Sequence, residues 1–493
     1  MSPTDLASDI CYRAILARDA RFDGRFYTAV VSTGIYCRPV CPARAPKREN
    51  CLFLPSAAAA ERFGFRACLR CRPEAAPGSP ARAGTAATVT RALGAIAEGG
   101  HEESVARLAA RLGIGERHLR RLFTEHLGTS PVSLAAAQRA LFARKLLAET
   151  RLPVTEIVHA SGFRSVRRFN TVMRETFGAA PRELRKREGA EVPSGEGLVL
   201  KLAVRPPFDW ERLLAFLATR AVPGIEAATG TSYARTFRVG EARGLVEARL
   251  SSARTHVVAA IRIDRVRALP LLVAGLRRLF DLDADSTAID AALARDPVLA
   301  PLVARRPGLR VPGTLDPFEI AVRAILGQLV SVKAARTLAA RLVATHGEPF
   351  GTFSGGDPAR LFPRPDALAG ADLTAIGLTR ARARGISALA EALVAEPELL
   401  APHGEPRDTL ERLAAIEGIG PWTAHYIAMR ALRDPDAFPA SDLGLARSLA
   451  AHRRRPGQRD VLARAEAWRP WRAYAAQHLW TADAEDRKKG EAA

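Results

Sequence analysis

No cysteine lies beyond position 71 in this chain of 493 residues, although six stand at or before it. No run reaches the ~18 apolar residues that span a bilayer. The opening residues Met1-Ser2-Pro3-Thr4-Asp5 lack the basic stretch and apolar core of a secretion signal. The expectation is a chain kept in a reducing compartment. Disulfides are then not expected, and clustered cysteines read as metal-binding or catalytic. Acidic residues are scarce beside basic ones, 52 against 73, for a net charge of +21. That excess points to a polyanion, of which nucleic acid is the commonest; the plainer alternative is a charged, inert surface. The length exceeds what one core supports, so three or four domains are expected.

Residues 72–88 are small, Pro/Gly-rich and unpatterned, and residues 186–197 repeat that character. Both read as linkers. LVLKLAV (198–204), GLVEARLS (244–251) and HVVAAIRI (256–263) read as strands, with a helix at about 209–220. From about 316 to 480 the pattern is helical, with Gly-rich hairpins. The expected domains are 1–76, 86–188, 197–310 and 311–482. The expected fold class is multidomain, mainly α with α+β parts.

Cys37 and Cys41 are three residues apart in the gap, Cys68 and Cys71 two, and 26 residues separate the pairs. Two close pairs suit a tetrahedral, all-thiolate zinc site, which would staple a domain with little core. Unrelated buried thiols are the alternative. Cys11 and Cys51 fall outside the pairing and read as packing residues. The words TGIYCRPVCPAR (33–44), REN (48–50) and GFRACLRCRP (64–73) closely resemble the N-terminal domain of the Ada family. The resemblance implies that Cys37 takes a methyl group from a DNA methylphosphotriester. It also implies that Cys41, Cys68 and Cys71 complete the metal site, and that Thr33, Arg44 and Arg66 contact the DNA backbone. Pro42 stands where the family often has arginine. Zinc deprotonates its thiols, so Cys37 would be a nucleophilic thiolate in a centre with two net negative charges. Methylation would leave one. At a partly desolvated interface that change is worth on the order of a few kcal/mol and would tighten DNA binding.

Residues 104–123, SVARLAARLGIGERHLRRLF, pattern as helix, turn at Gly113, and a second helix. Leu119, Leu122 and Phe123 are expected inward; Arg117, His118, Arg120 and Arg121 outward. The pattern recurs at 154–177 with its turn at Gly162, and Gly128-x-x-Pro131 recurs as Gly178-x-x-Pro181. SGFRSVRRFN and FGAAPRELR resemble the AraC family of regulators. That implies two helices, about 116–126 and 165–176, entering the major groove. Arg164, Arg167 and Arg168 would reach phosphates or bases. An arginine-rich helical bundle with solvated faces is the alternative.

LERLAAIEGIGPWTAHYIAMRAL (410–432) places Gly418 and Gly420 between two helices, where glycine permits positive φ and close approach of backbone N–H groups to a phosphate. FPASDLGLAR follows, with Asp442 the one acidic residue of 437–450. These words resemble the helix-hairpin-helix glycosylase superfamily. DPFEIAVRAILGQLVSVKAA (316–335) and WRPWRAYAAQHLW (468–480) narrow the likeness to the 3-methyladenine DNA glycosylase II type, over about 198–482. The resemblance implies base flipping with Leu329, beside Gln328, as the wedge. Trp422, Tyr426 and Trp480 would hold a cationic alkylated purine by stacking and cation–π attraction. Asp442 would stabilise the sugar cation or orient water. Leu443 stands where the family often has tyrosine. Trp422 occupies the place of the Schiff-base lysine of lyase relatives, which implies monofunctional excision. With no later cysteine, no iron–sulfur cluster is expected. The plainer alternatives are ordinary core aromatics and a helix-capping aspartate.

The whole implies a repair enzyme fused to a regulator: a small four-cysteine zinc domain, a tandem helix-turn-helix domain, an α+β domain and an all-α helix-hairpin-helix domain. One Zn2+ would be its metal, double-stranded DNA (damaged sites and promoters) and RNA polymerase its partners. It would be a monomer without membrane contact, in a bacterial cytoplasm and associated with the nucleoid. A pure transcription factor with an inactive C-terminal half is the rival reading.

Overall fold

The structure is a computed structural model. It describes residues 8–18, 22, 26–41, 43–55, 59–60, 63–68, 85–96, 104–188, 197–352, 358–401, 406–450 and 455–492. The chain separates into two compact units, 1–203 with 264–274, and 204–263 with 275–493. No helix among the described residues is long and apolar enough to cross a membrane.

The first unit opens on helix Ser8–Leu16 and a four-stranded sheet. Tyr27–Val30 lies between Ile35–Cys37 and Cys51–Leu54, antiparallel to both, and Arg66–Ala67 joins beyond Ile35–Cys37 in parallel. The core here is small: Tyr27, Ala29, Tyr36 and Leu54 on one side, Cys11, Phe26, Cys51 and Phe53 on the other. Cys11 and Cys51 are thus packing residues, as expected. Burial pushes the Cys51 thiol pKa up, which keeps it protonated and inert.

The segment that follows is helical. The linker expected over 72–88 is cut short, because Thr85–Ala95 is already helix and buries Val89 and Ala92; residues 69–84 lie outside the described residues. Helices Val105–Arg111 and Glu116–Leu127 flank Gly113, whose φ of 71° makes the turn. Helices Val154–Ala160 and Val166–Phe177 repeat this around Gly162, φ 75°. Both second helices end on a left-handed glycine, Gly128 and Gly178, and proline opens the next helix, Pro131–Glu149 and Pro181–Glu188. Leu119, Leu122 and Phe123 are buried; Arg117, Arg120 and Arg121 are exposed.

In the second unit, Glu226–Ala228, Ser232–Val239, Ala242–Leu250 and His256–Ile263 form consecutive antiparallel pairings. Helix Trp210–Arg220 falls where the sequence places it. Two strands were not anticipated, Glu226–Ala228 and Ser232–Val239. SYARTFRV carries arginines that suggest a surface, but Arg235 is buried and donates to Glu319 Oε2 at 2.5 Å. Glu319 and Glu226 also accept from Arg323, at 2.9 and 2.8 Å. This four-membered ion cluster ties helix Pro317–Leu326 to the sheet; removing one partner would strand a buried charge, at a cost of about 3–5 kcal/mol. Among the described residues beyond 316 the unit is helical, with one ribbon, Glu348–Thr352 paired with Pro358–Leu361. Its core gathers Phe318, Ile325, Leu342, Ile386 and Ile427, with a second cluster around Phe438, Trp468 and Leu479.

Candidate functional sites: a thiol cluster and a donor-ringed aspartate

The sheet register assembles the first site. Ile35 pairs with Arg66 and Tyr36 with Ala67. One step further, the Cys68 N–H donates to Tyr36 O at 3.0 Å, which brings Cys68 level with Cys37. Cys41 follows in a turn, its N–H on Arg38 O at 3.1 Å. The sulfurs of Cys37, Cys41 and Cys68 lie within 4.8 Å of one another, and Cys41 and Cys68 are 3.9 Å apart. A zinc tetrahedron with Zn–S near 2.3 Å has edges of about 3.8 Å. The three thiols therefore fit zinc. Cys71 lies outside the described residues. Thr33, Arg44 and Arg66 are exposed. Arg66 is held beside Thr33 by its N–H on Gly34 O, 2.8 Å. In the helical segment Arg164, Arg167 and Arg168 are exposed at the start of the second recognition helix, which Ser165 caps.

The second site is built on the hairpin. Gly418 has φ 81°, and a Cβ there would stand 2.9 Å from Gly385 Cα, so glycine is required twice over. Gly420 differs from expectation: its φ is −85° and its surroundings are open, so its freedom of φ is not used. It caps helix Pro421–Arg430, whose first turn presents Trp422.

Asp442 caps the six-residue helix Leu443–Ser448. Its Oδ1 accepts from Gly444 N at 2.8 Å, Leu445 N at 3.1 Å and Trp480 Nε1 at 2.8 Å. Its Oδ2 accepts from Trp422 Nε1 at 3.0 Å. Capping and site-building are therefore one arrangement. The four donors fix the carboxyl's orientation. Only one of them occupies Oδ2, which leaves that oxygen the less saturated of the two.

The expected aromatics do converge, with a division of labour that the sequence did not suggest. Trp422 and Tyr426 stack on each other, centroids 5.2 Å apart and planes 10° apart. Tyr426 and Trp480 are tilted by 54° at 6.2 Å. A guest base cannot enter between Trp422 and Tyr426; it must meet an outer face or edge. The Tyr426 hydroxyl accepts from Arg430 Nη1 at 2.7 Å. Burial raises its pKa, but Arg430, Arg220 and Arg323 together outweigh that and pull it below the ordinary tyrosine value. His478, two residues before Trp480, is buried, and burial lowers its pKa to about 4. It stays neutral at neutral pH and is no general acid there.

Leu329 is fully exposed with φ 55°. A left-handed leucine costs roughly 1–2 kcal/mol, so its neighbours must hold it. The Gln328 side-chain amide donates to Gly418 O at 2.8 Å and to Thr423 Oγ1 at 2.9 Å. Arg382 Nη2 donates to Gln328 O. Gln328 is thus engaged with the hairpin. Thr423, Arg382, Gly385 and Arg430 were missed by sequence reasoning; GIGPWTA offered a hint only of Thr423.

Four family models match the chain in order: metal binding domain of Ada over 10–74, helix-turn-helix domain over 108–187, AlkA N-terminal domain over 199–316, and HhH-GPD superfamily base excision DNA repair protein over 322–473. Geometry and matches together define a DNA-binding regulator joined to a helix-hairpin-helix DNA repair glycosylase. The "probable bifunctional transcriptional activator/DNA repair enzyme AlkA" of Mycobacterium tuberculosis is 46% identical over 477 residues, 96% of this chain and 95% of that protein. The chain belongs to this family of bifunctional transcriptional activator/DNA repair enzymes. DNA-3-methyladenine glycosylase 2 of Escherichia coli is 39% identical over 56% of this chain and 94% of its own length. The bifunctional transcriptional activator/DNA repair enzyme Ada of that organism is 34% identical over 41% of this chain and 53% of its own length. A 3-methyladenine DNA glycosylase from Archaeoglobus fulgidus shares the fold, with TM-score 0.52 and 23% identity over 58% of this chain and 98% of that one.

Proposed function

We propose that this protein excises cationic alkylated purines, of the 3-methyladenine and 7-methylguanine class, by monofunctional hydrolysis. Cys37 separately records DNA methylphosphotriesters, once per molecule. The observation that carries the first half is the carboxyl of Asp442, oriented by four N–H donors beside the Trp422–Tyr426 stack.

The damaged base leaves the stack and Leu329 fills the gap. The base lies against the outer aromatic surfaces, attracted by its charge. The N-glycosidic bond breaks, and its electron pair departs with the base, which becomes neutral. Asp442 Oδ2 faces the positive charge that develops on the sugar. Water then adds its oxygen to the sugar carbon and loses a proton. Trp422 cannot form a Schiff base, so the abasic strand should stay intact. Borohydride should trap no protein–DNA adduct; a trapped adduct or a nicked strand would count against monofunctional hydrolysis.

Trp422→Phe keeps the ring and removes the single donor on Oδ2. A hydrogen bond to a charged group is worth about 1.5–3 kcal/mol, so single-turnover excision should slow roughly 10- to 100-fold. Trp480→Phe should cost less, since Oδ1 keeps two backbone donors. The reverse order, read from the two rate constants, would contradict the assignment of Oδ2 as the reactive oxygen.

In the thiol site Cys37, Cys41 and Cys68, with Cys71, would hold one Zn2+. Bound zinc keeps its ligands as thiolates. Cys37 Sγ attacks the methyl carbon of the phosphotriester; an S–C bond forms, the C–O bond breaks, and the phosphodiester anion leaves. Thr33, Arg44 and Arg66 orient the DNA backbone, and the second recognition helix, with Arg164, Arg167 and Arg168, reads promoter DNA. RNA polymerase as a partner, a monomeric state and association with the nucleoid complete the reading. The proposed domains are those of the sequence reading: 1–76, 86–188, 197–310 and 311–482.

A further inference from the structure

The loop that would enter the duplex is not free-standing. It follows helix Pro317–Leu326 and ends where Ser331 caps helix Val332–His346. Between them Gln328 reaches the hairpin through two hydrogen bonds, to Gly418 O and Thr423 Oγ1. Its own carbonyl accepts from Arg382. Arg382 lies in the first turn of helix Arg380–Ala395. That helix also holds the hairpin: Gly385 packs on Gly418, and Arg384 Nε pairs with Glu417 at 2.8 Å. Wedge loop, hairpin and helix thus meet at Gln328, and the next residue is the left-handed, fully exposed Leu329.

We infer that Arg382 and Gln328 are positioning residues that tether the wedge to the hairpin, so that the part gripping the DNA backbone and the part invading the stack form one preset piece. The inference rests on the glycosylase reading above. An untethered loop would sample conformations other than the minority left-handed one. It would then have to be ordered at the moment of insertion, which weakens the push on the base. Arg382 touches neither base nor sugar in this arrangement; it acts through the Gln328 carbonyl.

The defect expected from breaking the tether is one of flipping, and it should shrink when flipping is easy. The test uses two duplexes, each with one 7-methylguanine, placed opposite cytosine or opposite a tetrahydrofuran abasic analogue. A base without a pairing partner costs less to extrude. With Arg382→Ala, single-turnover release from the paired duplex should fall roughly ten-fold, the worth of about one hydrogen bond. Release from the unpaired duplex should stay within about two-fold of wild type, because little flipping work remains there. Arg382→Lys keeps a donor and should recover part of the loss. Gln328→Ala combined with Arg382→Ala should slow the paired duplex no more than the worse single variant, as expected of one coupled unit. Equal losses on both duplexes, or additive losses in the double variant, would overturn the tether. If the wild type released base from neither duplex, the glycosylase reading would fall and the tether with it.

Discussion

Asp442→Asn should leave a folded protein that binds methylated DNA and releases almost no base. The fold survives because an amide oxygen at Oδ1 still accepts from Gly444 and Leu445, so the helix keeps its cap. The site does not survive. An amide nitrogen at the Oδ2 position points its hydrogens at the Trp422 N–H, donor against donor. The charge that faced the sugar is gone as well. Losing one preorganised electrostatic group typically costs about 10²–10³-fold in rate, and that is the loss expected. Single-turnover release of 3-methyladenine, with DNA affinity and thermal unfolding measured alongside, checks it. Asp442→Ala should match the rate loss and also unfold more readily, by about 1 kcal/mol for the lost cap. An Asn variant within a few-fold of wild type would remove Asp442 from the chemistry.

Cys37→Ala should have the opposite profile. Methyl transfer from phosphotriester DNA should vanish, since no other described thiol sits in that geometry with Cys41 and Cys68. Base excision should persist, because no residue of the Asp442 site depends on the thiol. Zinc binding should weaken with one ligand gone. In the wild type, methylation should tighten promoter binding on the order of ten-fold or more at low salt and less as salt screens the charge. Binding measured with methylated and unmethylated protein across a salt series tests this directly. Equal affinities at low salt would end the charge-switch account.

What was readable in the sequence was whatever the chemistry concentrates locally. Paired cysteines, a repeated Gly-x-x-Pro and one acid in a stretch with no other carboxylate announced the thiol cluster, the doubled helical unit and Asp442. Leu329 as a wedge was implied only by the glycosylase likeness of the word around GQLV. What escaped depended on distant partners. The strand Ser232–Val239 went unread because its Arg235 finds its counter-charges on Glu226 and Glu319, the latter 84 positions away. Gln328 was legible only as the neighbour of the wedge, because Gly418 and Thr423, which accept its side-chain hydrogen bonds, belong to another element. The three aromatics were found, but not that two of them spend their N–H groups on Asp442 and that Trp422 and Tyr426 cover each other's faces. Gly418 and Gly420 look alike in GIG, yet only Gly418 takes a positive φ and a close neighbour.

On the function proposed above, Cys37 and Asp442 divide the labour between a register written once and a catalyst that turns over. One incubation separates them: excess methylated DNA with purified protein, counting bases released and methyl groups on Cys37 against moles of chain. The account predicts base release that continues well past one equivalent while methylation of Cys37 stops at one. Base release that halted at one equivalent or never began, with Cys37 methylated all the same, would contradict it.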